Sequence, residues 1–221
     1  MTTPGLFVSV DGPGGVGKST VVTLVVNQLA AHGLAVHTTA EPSRTPLGRM
    51  IREGTDTYQG ITLALLVAGD RHHHVATEIR PRRLAGATVI CDRYIPSSLV
   101  LQRMDEVPWD TIWQLNAALG RPDMAAILNA DPNVIAARLA SRGDAHSRFE
   151  RSPGSSLIES DLYRDTAARL ADAGWPIHEI DCTGDRAEDV ATILTERILS
   201  LSSSRSAHEP QRPGPADLQH R

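Results

Sequence analysis

Lysine is nearly absent from this chain: of its 22 basic residues only Lys18 is a lysine, and the rest are arginine. Chance would put a lone lysine at that position about once in 221 placements, so its location asks for a reason. Excess positive charge is also missing. The formal net charge is −4, which excludes the basic footprint needed to hold a nucleic-acid backbone. Two cysteines, Cys91 and Cys182, are too few for a disulfide framework and read as buried, reduced thiols beside strands. No apolar run approaches the roughly 20 residues that span a bilayer. The segment before Asp11 lacks the pattern of a secretory signal, so a cytoplasmic location away from membranes is expected. Aromatic residues are scarce. Trp109, Trp113 and Trp175 read as packing residues, the first two sharing one helix face.

What remains is an α/β pattern. Apolar residues make up 41% of the chain, enough for the core of a single domain spanning 1–200. Short β-branched runs at 6–10, 35–39, 88–91, 124–128 and 177–180 alternate with longer helical patterns. That alternation predicts a parallel sheet with helices on both faces. The helices are expected at 18–31, 47–53, 58–84 (bent near its end by Pro81), 109–119, 133–141, 157–173 and 187–200. Residues 143–155 carry loop chemistry with arginines embedded in it. From 201 onward the Ser-, Pro-, His- and Arg-rich sequence has no periodicity and reads as a disordered tail.

The lone lysine closes a phosphate loop. Gly12-Pro13-Gly14-Gly15-Val16-Gly17-Lys18-Ser19 fits G-x-x-x-x-G-K-[ST], directly after a strand and directly before a helix. Glycines let the backbone curl so that successive N–H groups converge on a phosphate, and the helix adds its own free N–H groups. Lys18 reaches the outer phosphates of ATP, Ser19 offers a hydroxyl to Mg²⁺, and Thr20 continues the site. A GTPase would need Asn-Lys-x-Asp; the nearest candidate, Asn129-Ala130-Asp131, lacks the lysine. The loop therefore points to an ATP- and Mg²⁺-dependent kinase of small molecules. The run His72-His73-His74 does not point to a metal, because adjacent helical residues diverge by about 100°.

Several further segments, in order and spacing, resemble the thymidylate kinase family across roughly residues 5–200. They are Glu41-Pro42-Ser43-Arg44-Thr45-Pro46-Leu47-Gly48, Leu65-Leu66-Val67-Ala68-Gly69-Asp70-Arg71, Cys91-Asp92-Arg93-Tyr94-Ile95-Pro96-Ser97-Ser98 with Gln102, and Arg121-Pro122-Asp123. The resemblance implies a P-loop kinase fold with a five-stranded parallel sheet and an arginine-bearing lid at about 143–155. It places Arg93 and Arg44 on the acceptor's phosphate, Arg71 on a base carbonyl, and Ser98 and Gln102 at the nucleoside. Asp92 would hold Mg²⁺ through water, and Glu41 would orient acceptor or metal. Arg142, Arg148 and Arg151 lie in or beside the lid, Arg142 and Arg148 being favoured as the catalytic pair. A homodimer through the 58–84 helix is also implied.

Three positions depart from the family's pattern. Gly14 replaces a P-loop Asp or Glu that engages the sugar, Val67 replaces the aromatic that stacks on thymine, and Leu101 replaces a tyrosine near the deoxyribose. All three lie on the acceptor side. The leading acceptor is a nucleoside monophosphate, dTMP first, converted to its diphosphate. The alternatives are a modified nucleotide, or a hydroxyl of a small metabolite, which would need a carboxylate base from Asp92, Glu41 or Asp70. A nucleotide-binding regulator without turnover is the third reading.

Overall fold

Every residue of β1 (Phe7–Asp11) is buried, and that dictates a place in the middle of a sheet rather than at its edge. In the computed structural model, which describes residues 3–143, 148–151 and 154–207, β1 lies between β3 (Thr88–Asp92) and β4 (Met124–Asn129). β2 (Val36–Ala40) and β5 (Ile177–Asp181) form the two edges. All pairings are parallel, in the order β2-β3-β1-β4-β5. The chain builds one side of β1 first and then crosses to the other. Such a reversal opens a crevice at the carboxyl ends of the central strands.

Alternation along β1 sends Val8 and Val10 to one face of the sheet and Phe7 to the other. The first face is covered by α1 (Lys18–Ala31) and α10 (Ala187–Ala207), through Val21, Val25 and Leu29 against Val190, Leu194 and Ile198. The opposite face receives α3 (Gly60–His74), α5 (Ile95–Met104), α6 (Trp109–Asn116) and α9 (Ser155–Asp172). Three short helices complete the described chain: α2 (Pro46–Glu53), α4 (Arg80–Leu84) and α8 (Arg148–Arg151); α7 (Pro132–Arg142) follows β4. No helix among the described residues is long and apolar enough to cross a membrane.

Three expectations change. The continuous helix over 58–84 is α3, a π-helical turn at Val75–Ile79 and then α4. Pro81 cannot donate to the carbonyl four residues back, and the wider turn lies immediately before it. α5 is an additional helix. Its Pro96 reads as a breaker in sequence, but it occupies the first turn, where no donor is required. Finally, α10 continues past 200 to Ala207, where a disordered tail was expected. Leu199 and Leu201 pack on the core, and Ser203 and Ser204 donate to carbonyls one turn back. Arg205 reaches Asp123. The remainder of the expected tail, 208–221, lies outside the described residues, as do 144–147 and 152–153 of the expected lid.

Candidate active site

The phosphate loop leaves β1 and enters α1 through Gly17, whose φ of 106° falls in the left-handed region that a side chain would strain. Gly14, Gly15, Gly17, Lys18, Ser19 and Thr20 line one end of a cleft of about 610 Å³. Gly12, Pro13 and Val16 form the loop's frame. The carbonyls of Gly12 and Pro13 accept from Lys18 Nζ at 2.9 and 2.7 Å, and Val16 is buried in the core. Burial, then the neighbouring Arg93 guanidinium, pulls the Lys18 ammonium down to about 7. A lysine so desolvated is held ready for an anion.

Across the cleft, β3 ends in Asp92, and Arg93 follows it. Ser19 Oγ donates to Asp92 Oδ2 at 2.6 Å, so a hydroxyl and a carboxylate oxygen, both hard donors, meet beside the phosphate loop. That pair suits Mg²⁺, which selects oxygen ligands. Arg93 has φ 74°, a left-handed conformation unfavourable for a side chain with a Cβ. Its backbone N–H donates to the Val10 carbonyl, and its guanidinium donates to Ser97 Oγ and Tyr163 Oη. Asp11, fully buried, supports this corner by accepting from the N–H groups of Tyr94 and Ser97 and from Ser97 Oγ. Burial pushes the Asp11 carboxyl up, and these hydrogen bonds oppose the shift.

The far end of the cleft is built around Arg71, only 2% exposed. It donates to Glu41, to Asn116 Oδ1 at 2.6 Å and to Ser98 Oγ at 2.7 Å. Glu41 also accepts from His74 Nδ1 at 3.2 Å, and the other ring nitrogen meets Thr39 Oγ1 at 2.8 Å. His72 instead donates to the Leu115 carbonyl and His73 is exposed, so the three histidines diverge. Glu41, His74 and Cys91 do bring three ligand-type atoms within 4.8 Å of one another. The chemistry there is that of a hydrogen-bonded network. Arg71 already neutralises Glu41, and burial pushes the Cys91 thiol well up, away from the thiolate a metal would want.

Val67, Ser98, Leu101 and Gln102 line this end with Glu41 and Arg71. Arg44 does not reach it. Ser43 and Thr45, on either side of it, bond to the buried Asp70 carboxylate, which turns Arg44 outward to an exposed position. Arg52 lines the cleft instead, donating to the carbonyls of Pro42 and Ser43. Its sequence signal was only a helical arginine among others.

The expected lid divides its arginines among three tasks. Arg142 lines the cleft and pairs with Glu150. Arg148, expected with Arg142 in the catalytic pair, is outside the cleft lining; it donates to the Thr55 carbonyl and pairs with Asp105, bracing α8 against the α2–α3 connection and the end of α5. Arg151 makes an exposed pair with Asp56. Residues that the sequence did not single out fill the gaps. Arg138 of α7 lines the cleft and donates to the carbonyls of Val16 and Cys182. Glu159 of α9, buried, accepts from the Gly14 N–H at 2.7 Å. Phe149 and Glu150 bring α8 to the cleft wall.

A phosphate cradle opening onto a second, internally hydrogen-bonded recognition pocket makes the molecule a P-loop phosphotransferase. Comparison with known proteins narrows the class. The thymidylate kinase family profile matches residues 10–175. The chain is 42% identical over 199 residues to a probable thymidylate kinase of Caldivirga maquilingensis, covering 87% of this chain and 94% of that one. It is 33% identical over 214 residues to a thymidylate kinase of Chromohalobacter salexigens, covering 90% and 100%. A thymidylate kinase of Xanthomonas oryzae pv. oryzae is 32% identical over 186 residues, covering 76% and 82%. The chain belongs to the thymidylate kinase family.

Proposed function

We propose that this phosphotransferase moves the γ-phosphoryl group of ATP onto the 5′-phosphate of dTMP, giving dTDP and ADP. The observation that carries the reading is the division of one cleft. Lys18, Ser19 and Arg93 lie at its phosphate end, while Arg71, Ser98 and Gln102 lie at an end suited to a base and sugar. An acceptor phosphate is already an anion at neutral pH and needs no general base. The carboxylates that could have served a hydroxyl acceptor are committed elsewhere. Glu41 is paired with Arg71, Asp70 accepts from Ser43 and Thr45, and Asp92 accepts from Ser19.

The work left to the protein is alignment of two polyanions and relief of their repulsion. Lys18 swings from its own loop's carbonyls to the outer phosphates of ATP. Arg93, pinned by Ser97 and Tyr163, holds the acceptor phosphate, and Arg142 and Arg138 add positive charge along the cleft. Mg²⁺, held by Ser19 and through water by Asp92, would neutralise phosphate charge. The reading includes a cytoplasmic location. It also includes a homodimer through α3, whose Ile61 and Leu65 are about half exposed one turn apart; sedimentation analysis tests the dimer.

The deciding assay is ADP production from ATP and Mg²⁺ against dTMP, dUMP, other nucleoside monophosphates and free nucleosides. Efficient turnover with dTMP is expected. Lys18→Ala should be slower by about 10³-fold, the scale of losing one main charge-stabilising group. No stimulation by any monophosphate would sink the proposal.

A further inference from the structure

We infer that Phe149 is a specificity-determining residue of the acceptor pocket: α8 delivers the aromatic face against which the acceptor's base lies. The inference rests on the nucleoside monophosphate reading above and extends it. The pocket wall built by α2, α3 and α5 is aliphatic: Ile51, Leu63, Val67 and Leu101 line it. Among the described residues that line the cleft, Phe149 is the only aromatic one. It is 6% exposed and forms one apolar cluster with Ile51 and Leu63, against which Val67 and Leu101 pack. A flat heterocycle in this pocket would meet aliphatic groups on one side, and the aromatic surface that suits its π-face comes from another element.

α8 is anchored on this side of the molecule. Arg148 Nε donates to the Thr55 carbonyl at 2.6 Å, and its guanidinium pairs with Asp105. The same guanidinium lies 4.3 Å from the centre of the Phe149 ring, which limits the ring's freedom to turn away. Polar groups then read the base at its edge rather than its face. Arg71 is a donor at the pocket's end. Gln102, which lines the pocket, has a buried Oε1 with no hydrogen-bond partner among the described residues, an acceptor that would suit a ring N–H. A donor and an acceptor lining the same pocket would suit the carbonyl–NH edge of a pyrimidine, and Phe149 supplies the surface that edge contacts cannot.

The test separates acceptor recognition from loop anchoring. Steady-state kinetics are measured with dTMP and ATP varied in turn for Phe149→Leu, Phe149→Tyr and the double variant Val67→Phe/Phe149→Leu. For Phe149→Leu the KM for dTMP should rise about three- to tenfold, the scale of one lost aromatic contact, with the KM for ATP unchanged. Phe149→Tyr keeps the ring and should stay within about twofold. The double variant moves the ring to α3 and should recover most of the loss. An unchanged KM for dTMP in Phe149→Leu overturns the inference. So does an equal rise in both KM values, because Phe149 would then only anchor α8. Absence of monophosphate turnover by the unsubstituted protein would instead overturn the acceptor assignment itself, and the inference with it.

Discussion

The two ends of the cleft are built by different means. The phosphate end is built chiefly on one contiguous stretch, Gly12–Thr20, with its shaped backbone and single lysine, and Asp92 and Arg93 close it from the end of β3. The acceptor end is assembled from β2, α2, α3, α5, α6 and α8, with Glu41, Arg71 and Asn116 meeting across 75 positions of sequence. A backbone device tolerates change in everything except its glycines and its terminal residues. A side-chain assembly can be re-equipped one position at a time, and two of the three positions that depart from the family's pattern, Val67 and Leu101, lie there.

Three measurements probe that contrast, beginning with the largest effect. Arg71→Gln should strip the acceptor end of its organiser. It leaves Glu41 buried without its guanidinium, so a loss of about 3–5 kcal/mol is expected in urea denaturation. The KM for dTMP should rise while ATP affinity is retained. Loss of both affinities together would show that the ends are not separate units.

The second concerns the phosphate end and proton balance. Lys18 titrates near 7 rather than at the ordinary lysine value because it is buried and Arg93 repels its charge. Without ligand, folding therefore disfavours its charged form. That cost is full below pH 7, and stability from this group rises with pH between about 7 and the ordinary value of about 10.5. ATP phosphates reverse the preference. Calorimetry in buffers of differing ionisation enthalpy should show ATP binding taking up close to one proton at pH 8 and almost none at pH 6. Lys18→Met should abolish the uptake at pH 8. Persistence of the uptake in that variant would assign the proton to another group.

The smallest effect is expected where neither end is touched. Arg151→Ala removes an exposed pair with Asp56 and should change stability by no more than about 0.5 kcal/mol. A several-fold change in kcat would move Arg151 from the loop's surface into the chemistry.

Legibility in the sequence followed the same division. The phosphate loop, α1 and all five strands could be read because each is a local pattern: a spaced motif, a helical period or a β-branched run. α5 was hidden because Pro96 looks like a breaker until its place in the first turn is known. Arg44 and Arg52 could not be told apart, since the choice depends on Asp70 drawing Ser43 and Thr45 inward from 25 or more positions away. Glu159 gave no local sign, because its partner, the Gly14 N–H, is 145 residues distant. Phe149 was overshadowed by the lid arginines near it, of which only Arg142 lines the cleft among the described residues.

Gly14 also bears on how this chain can change over generations. A Cβ there would meet Oε1 of Glu150 at 2.6 Å and its Cγ at 2.8 Å. Any larger residue at 14 must displace the Glu150 side chain, and any rearrangement of α8 alters what 14 can hold. Positions 14 and 150 are therefore expected to have a joint history, in which a substitution at one survives when the other has already made room for it.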